Sequence, residues 1–297
     1  MNYDCFVWSK TKSIVISFIY ATLIYYFLPL SYDYISHLES APYYIGERDN
    51  LTFLDYISIN NIIPYIYNNL ELFSPALIIQ FTYFISGFIF SYFVLSRTDL
   101  ILGLSILWAN FITCLNTNRE ILAFVLFYYL INSKRKISAH IIPLIIHNTS
   151  IFAIFTQRKI RPLYIYIPVF ILIFVLLNFN LPIRYGYSTN GSPIQNNFYP
   201  SLLALLLIIY STNFSYIKNL LHIIVSISLI FFVLIEWYGF NQFIYFSRVV
   251  WILFMTVQLN YINNKNSSIS LEKKVIFLST LFIFGLYHIF YNIIVRV

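Results

Sequence analysis

The chain has 297 residues, of which 60% are hydrophobic and only 10% are charged, and its mean hydropathy is +0.75. Because a water-soluble domain has about a quarter of its residues charged, this composition excludes an ordinary soluble protein. The net charge of +7 is spread over separate short loops, which excludes a nucleic-acid-binding patch.

Apolar runs of similar length recur along the chain. A helix needs roughly 20 apolar residues to cross the hydrocarbon core of a bilayer, and its backbone amides must be satisfied within the helix. The pattern predicts an all-α, polytopic helical membrane protein, with residues 1–297 forming a single integral membrane domain. We expect about nine transmembrane helices, at 13–30, 75–95, 100–116, 119–133, 162–182, 200–216, 220–240, 246–262 and 275–294.

The segment 138–155 is a tenth apolar stretch, and the positive-inside rule decides how to interpret it. If it crosses the membrane, the 18 Lys and Arg residues divide evenly between the two sides. If it is re-entrant, 13 of the 18 lie on the cytoplasmic side. Pro143 and the polar residues that begin at His147 also favour a break. We therefore predict one re-entrant or broken helix, with the N-terminus inside and the C-terminus outside.

This topology places two polar stretches outside the membrane. The smaller, at 183–199, is rich in turn-forming residues. The larger, at 31–74, has one basic residue, Arg48, against six acidic residues: Asp33, Glu39, Glu47, Asp49, Asp55 and Glu71. We expect both stretches to be extracytoplasmic loops.

The segment Asn116-Thr-Asn-Arg-Glu-Ile-Leu-Ala123 lies between two apolar runs and contains Arg119 and Glu120. One interpretation is a tight outer hairpin whose charges reach water. The other is a functional site, since a buried charge in a membrane costs roughly 2–3 kcal/mol and is usually retained for a purpose. The sequence leaves both interpretations open.

His147 and Arg248 are further candidate functional residues, and each also has a purely structural interpretation. His147 lies in the predicted break, although a lone histidine on an apolar helix is more often part of the core. Arg248 opens an apolar segment, where it is equally explained as an interfacial anchor that extends to the headgroups.

Several motifs with a known mechanism do not occur in the sequence. There is no Walker motif, GxGxxG, GxSxG or HExxH, and no Cys/His cluster with metal-ligand spacing. We expect neither a metal nor a cofactor.

Three motifs occur in a characteristic order: Arg119-Glu-Ile-Leu-Ala123, the basic Lys134-Arg-Lys136, and His147-Asn-Thr-Ser-Ile151. Together they resemble the EpsG-like family of polysaccharide polymerases, which are Wzy-type enzymes of O-antigen and exopolysaccharide synthesis. Asp33-Tyr34, Glu71-Leu-Phe73 and Arg248 also fit the family. The chain departs from it at Glu120, where glutamine is usual, and at Ile146, where an aromatic residue is usual.

The resemblance implies a membrane glycosyltransferase of the bacterial cytoplasmic (inner) membrane. It would join oligosaccharide repeat units carried on undecaprenyl diphosphate into O-antigen, capsule or exopolysaccharide at the outer face of the membrane. The expected partners are this lipid-linked oligosaccharide, membrane lipid and a chain-length regulator protein, without nucleic acid. The alternatives are a flippase for the same substrate, or an O-antigen ligase or acyltransferase of the same pathway.

The resemblance also suggests roles for individual residues. Arg119 and Arg248 would stabilise the charge of the departing diphosphate, and the general base would be His147, Glu71 or Asp33. Further substrate contacts would come from Asn116, Glu120, Glu39 and Arg184.

Overall fold

The computed structural model describes residues 10–30, 75–133, 136–147, 150, 153, 162–179, 198–212, 222, 224–226, 228–230, 232–233, 242–263 and 270–290. These residues are mostly helical and include no β-strand, which confirms the all-α prediction. The helices are α1 (Lys10–Phe27), α2 (Pro75–Leu95), α3 (Leu100–Ala109), α4 (Phe111–Asn116), α5 (Asn118–Asn132), α6 (Lys136–Ile146), α7 (Pro162–Phe179), α8 (Phe198–Ser211), α9 (Gln242–Asn263) and α10 (Leu271–Ile289). A short 3-10 helix, Leu28–Leu30, follows α1.

Most helices follow the apolar runs closely, and α2 has the predicted bounds. The predicted segment 100–116 differs, because Asn110 divides it into α3 and α4. The backbone N–H of Asn110 donates to the Ile106 carbonyl at 3.1 Å, and its side-chain amide donates to the same oxygen at 2.8 Å. A side chain that competes for a backbone carbonyl in this way interrupts a helix without interrupting its hydrophobic pattern.

The helix α6 ends at Ile146, so the chain leaves helical geometry at His147 as the sequence indicates. Pro143, however, does not cause the break, because the helix runs through it. The Pro143 carbonyl accepts a hydrogen bond from the His147 N–H at 2.9 Å, and the His147 carbonyl accepts one from the Ser150 N–H at 3.1 Å. The first of these bonds continues the helical pattern past Pro143, and the second begins a turn after the last helical residue, Ile146.

The chain forms two compact units. The first consists of residues 1–150 and 281–297, and within it α1 packs on α2 through small residues. A Cβ atom placed on Gly87 would lie 3.3 Å from Ile24 Cγ1 and 3.7 Å from the Ala21 backbone, and the Ser91 hydroxyl lies 3.5 Å from the Ser17 carbonyl oxygen. Because later residues of α1 contact earlier residues of α2, the two helices are antiparallel.

The first unit also has specific contacts around α3. The Tyr20 hydroxyl of α1 donates to the Leu107 carbonyl at 3.0 Å. The Trp108 indole donates to the Phe282 carbonyl at 3.2 Å and lies against Gly285, where a Cβ atom would overlap the ring. These contacts hold α3 against α1 and against the part of α10 that belongs to this unit.

The second unit consists of residues 151–280, in which α8 packs on α9. From Val250 to Asn260, α9 is buried at nearly every position. The Tyr166 hydroxyl lies 2.8 Å from His222 Nδ1, and Lys273 Nζ lies 5.3 Å from the centre of the Tyr210 ring.

None of the helices in the described ranges is both long enough and apolar enough to count as a candidate membrane span. The predicted nine spans, the single membrane domain and the re-entrant placement of α6 stay predictions. The predicted loops at 31–74 and 183–199 lie outside the described residues.

Candidate functional site

Glu120 and His147, which are 27 positions apart in the sequence, lie side by side in the first unit. Glu120 Oε1 is 3.6 Å from His147 Nε2, and the two side chains are only 4% and 16% exposed, respectively. This distance is within ion-pair range, but it exceeds the usual length of a direct hydrogen bond. The structure thus brings a buried carboxylate and a largely buried imidazole together.

The pair is positioned by the packing of α5 against α6. Only three residues separate the two helices, and Glu120 lies in the first turn of α5 while His147 follows the last residue of α6. For these two ends to meet, the helices must run antiparallel. The site is therefore the open end of a helical hairpin.

Each member of the pair lies at a helix end, where the helix dipole contributes to the local electrostatics. A helix N-terminus stabilises a negative charge and a C-terminus a positive charge, typically by about 0.3–1 kcal/mol each. Glu120 is the acidic residue of the first turn of α5, and His147 directly follows α6. The dipoles of α5 and α6 are thus oriented favourably for negative charge at position 120 and for positive charge at position 147.

The local sequence around Glu120 resembles a capping box, which is a common use of glutamate at the third position of a helix. Thr117 is the N-cap residue of α5, but its side chain makes no capping hydrogen bond. Its N–H and its hydroxyl both donate instead to the Thr113 carbonyl, each at 2.8 Å. The Thr117 N–H is thus bonded within the preceding turn, and the Glu120 carboxyl group lies near His147.

The geometry indicates what the pair can do chemically. A neutral imidazole whose Nε2–H faces a carboxylate carries its basic lone pair on Nδ1. A carboxylate in this position also stabilises the imidazolium that forms when Nδ1 accepts a proton. Such a pair is suited to general acid–base catalysis, with His147 transferring the proton and Glu120 positioning the ring.

Other polar residues surround the start of α5. Arg119 directly precedes Glu120 and is half-buried, and Asn118 is buried. Asn116, the last residue of α4, has a buried Oδ1 that accepts no hydrogen bond from the described residues. The candidate residues Asn116, Arg119, Glu120 and His147 thus belong to one end of the first unit.

The remaining candidates are not brought to this site by the described residues. Arg248 belongs to α9 in the second unit, and its side chain lies outside the described set. The joint role of Arg119, His147 and Arg248 at one site therefore stays a prediction. Asp33, Glu39, Glu71 and Arg184 also lie outside the described residues.

The burial of Glu120 is relevant to the two interpretations of its segment, a solvent-exposed outer hairpin or a functional site. A tight hairpin whose charges reach water would require an exposed carboxylate, whereas Glu120 is buried. His147 faces this carboxylate and therefore differs from an isolated core histidine. Within the described ranges, no group of three or more His, Cys, Asp or Glu side chains is placed to hold a metal ion.

Comparison with known proteins identifies no relative: no protein-family model, curated protein or solved structure matches the chain.

We expect Glu120 and His147 to be energetically coupled, because each is the close polar neighbour of the other at a buried position. In a double-mutant cycle with Glu120→Gln and His147→Gln, the coupling energy should be about 0.5–3 kcal/mol. The measurement is the free energy of unfolding of the purified native protein, both single variants and the double variant.

A matched cycle pairs Glu120→Gln with Asn132→Ala at the other end of α5, about 18 Å away along the helix. Those two changes should be additive within about 0.5 kcal/mol. Equal coupling in the two cycles would contradict a specific Glu120–His147 interaction.

Proposed function

We propose that the chain is a multi-pass protein of the bacterial cytoplasmic membrane. The helix α1 supports this placement, because its buried residues are mostly small or polar: Ser13, Ser17, Tyr20, Ala21 and Ile24. Its exposed residues include large apolar ones: Ile14, Val15, Phe18, Ile19 and Leu23. Small residues between helices and large apolar residues on the outer surface are typical of helices packed in lipid, whereas water disfavours such an exposed apolar surface.

Contacts within each unit agree with the topology proposed from the charge distribution. In the first unit, the Arg97 guanidinium lies 5.7 Å from the centre of the Tyr129 ring, and that topology places both residues at the cytoplasmic end of their helices. In the second unit, the contact between Lys273 and Tyr210 joins two residues that are likewise placed at the cytoplasmic end. Basic residues beside interfacial aromatic residues are the expected arrangement at that boundary.

The length of α6 supports the re-entrant placement. Its 11 residues extend about 16 Å, which is roughly half of a 30 Å hydrocarbon core. A helix of this length that ends in a polar turn enters the membrane without crossing it. In this arrangement the hairpin of α5 and α6 brings Glu120 and His147 to the outer half of the bilayer.

The re-entrant placement predicts that positions 134 and 158 share the cytoplasmic side. Single cysteines introduced at each position, in a chain without its two native cysteines, should resist a membrane-impermeant thiol reagent in intact cells and react after permeabilisation. A cysteine in the proposed outer loop, at position 190, provides the control and should react in intact cells. Labelling at position 158 but not at 134 in intact cells would require a spanning helix and would overturn this topology.

We further propose that the protein is a membrane glycosyltransferase, a polymerase of lipid-linked oligosaccharide repeat units. The observation that carries this proposal is the 3.6 Å approach of Glu120 and His147. These residues come from two of the motifs that resemble the EpsG-like polymerases, and together they form an acid–base pair. A flippase moves its substrate without forming a bond and has no need of a general base, so the pair favours group transfer over transport.

The proposed reaction is a substitution at the anomeric carbon of the donor sugar. His147 Nδ1 accepts the proton of the acceptor hydroxyl, whose oxygen forms a new bond to that carbon. The bond from the same carbon to the diphosphate oxygen breaks, and undecaprenyl diphosphate leaves with the electron pair. Glu120 positions the imidazole and stabilises its positive charge, so that the proton transfer accompanies bond formation.

Arg119 is the proposed cation for the leaving group. Its guanidinium can bind two diphosphate oxygens at once, and developing negative charge on a leaving group is stabilised most strongly where water is excluded. In this proposal Arg248 contributes a second cation, and Asp33, Glu39, Glu71 and Arg184 contact the glycan from the outer loops. The substrate carries the lipid anchor and the reactive diphosphate, so the proposed reaction uses no cofactor.

We expect His147→Gln to abolish most polymerisation, because loss of a general base typically lowers the rate by about 10²–10⁴-fold. Cells with this variant should accumulate single repeat units on the lipid carrier, and the chain-length distribution of their surface glycan, separated by electrophoresis, should collapse to one unit. His222→Gln is the matched control, since it makes the same change at a half-buried histidine paired with Tyr166.

The control should retain the native distribution, and both variants should be present in the membrane at the native level. Long chains at normal abundance in the His147→Gln cells would refute the assigned base. Long chains that remain on the lipid carrier would point instead to a ligase.

A further inference from the structure

Arg97 lies in an aromatic setting at the end of the first unit that is remote from Glu120. It belongs to the connection between α2 and α3, and its guanidinium carbon is 4.3 Å from the centre of the Phe93 ring and 5.7 Å from that of Tyr129. Cation–π contacts with the two rings restrict the position of the guanidinium. Tyr129 lies nine positions after Glu120 on α5, about 14 Å along the helix axis.

The Arg97 guanidinium is partly desolvated, and the described part of the chain brings no carboxylate to neutralise it. Burial lowers the pKa of Arg97 from its ordinary value, and the neighbouring Tyr129 and Tyr92 act in the opposite direction. None of the residues that the structure describes places an acidic group within ion-pair distance of Arg97. The nearest acidic residue in the sequence, Asp99, is exposed and accepts a hydrogen bond from the Leu102 N–H at 2.9 Å.

Most of the hydrogen-bonding capacity of Arg97 also remains. Its Nη1 makes two long contacts, 3.3 Å to the Ser96 hydroxyl and 3.5 Å to the Phe93 carbonyl. A guanidinium has five N–H donors, and Nε and Nη2 donate to no group among the described residues. A partly buried guanidinium without a counter-charge among the described residues is suited to bind an anion with two oxygens side by side.

Two further cations lie at the same end of the unit. Because α1 and α2 are antiparallel, the exposed Lys10 and Lys12 at the start of α1 are at the same end as Arg97, which follows the last residue of α2. Large hydrophobic side chains are also exposed near Arg97: Ile101, four positions later in the chain, at 67%, and Tyr129, which contacts the guanidinium, at 54%. The surface therefore combines positive charge with exposed apolar groups. An acidic phospholipid is complementary to it, because it combines a negative headgroup with apolar acyl chains.

We propose that Arg97, framed by Phe93 and Tyr129, binds the phosphate of an anionic phospholipid headgroup in the cytoplasmic leaflet. This inference rests on the membrane placement in the proposed function, and it is independent of the polymerase reaction. The guanidinium contacts two phosphate oxygens, Lys10 and Lys12 add charge at longer range, and the acyl chains lie along the exposed apolar side chains. The site lies at the opposite end of α5 from the proposed catalytic residues, so it takes a structural lipid and not the substrate.

The test measures lipid binding to the purified full-length protein by native mass spectrometry, with phosphatidylglycerol and phosphatidylcholine as probes. The native protein should retain phosphatidylglycerol preferentially. Arg97→Gln should weaken that binding by about ten- to a hundred-fold, the value of one or two charge-assisted hydrogen bonds. Lys10→Gln removes the same charge from the same end without the aromatic frame, and it should change binding less than about three-fold.

Arg97→Lys keeps the charge but loses the fork, so it should bind at least about three-fold more weakly than the native protein. If Arg97→Gln does not fold, the binding of phosphatidylglycerol by Arg97→Lys tests the proposal. Equal binding by the native, Arg97→Lys and Arg97→Gln proteins, or no preference for phosphatidylglycerol in the native protein, would overturn the proposal. Displacement of the bound lipid by inorganic phosphate at the same concentration would also overturn it, because it would identify a site for a soluble anion. None of these measurements depends on polymerisation, so a failure here is distinct from a failure of the catalytic assignment.

Discussion

The buried carboxylate of Glu120 is the constraint on which the account of this protein depends. A charged group removed from water is strongly destabilising unless a partner and local dipoles compensate for its desolvation. The hairpin of α5 and α6 supplies both, because His147 lies at 3.6 Å and Glu120 belongs to the first turn of α5. The register of the two helices is thereby tied to a polar contact, and the same contact forms the proposed catalytic pair.

At the opposite end of the first unit, the charge of Arg97 is accommodated differently. Arg97 is held by aromatic rings without a carboxylate partner among the described residues, and we assign its counter-charge to a lipid. The first unit thus has the Glu120–His147 pair at one end and, at the other, an arginine whose proposed counter-charge is a lipid. In the proposed arrangement, the Arg97 end of the unit lies in the cytoplasmic headgroup region and the Glu120 end lies in the outer half of the membrane.

The helices could be predicted from the sequence to a large extent, whereas the pairing of Glu120 with His147 could not. A long apolar run indicates a helix because the whole run must be kept out of water with its backbone hydrogen bonds satisfied. The helix α2 has the same bounds as its run. The interruption at Asn110 was missed because it comes from a side-chain hydrogen bond that leaves the apolar pattern intact. Arg119 and His147 could be selected individually as polar residues in apolar surroundings, but their neighbours depend on helix packing, which a single sequence does not contain.

The most direct test of the central claim is polymerisation by the purified protein in liposomes, with undecaprenyl diphosphate-linked repeat units as the only added substrate. The account predicts a ladder of lengthening glycans and release of undecaprenyl diphosphate, both strongly reduced in Arg119→Lys because a point charge replaces the bidentate guanidinium. A native protein that binds or moves the substrate but leaves every unit unjoined, under conditions in which it is folded, would contradict the account.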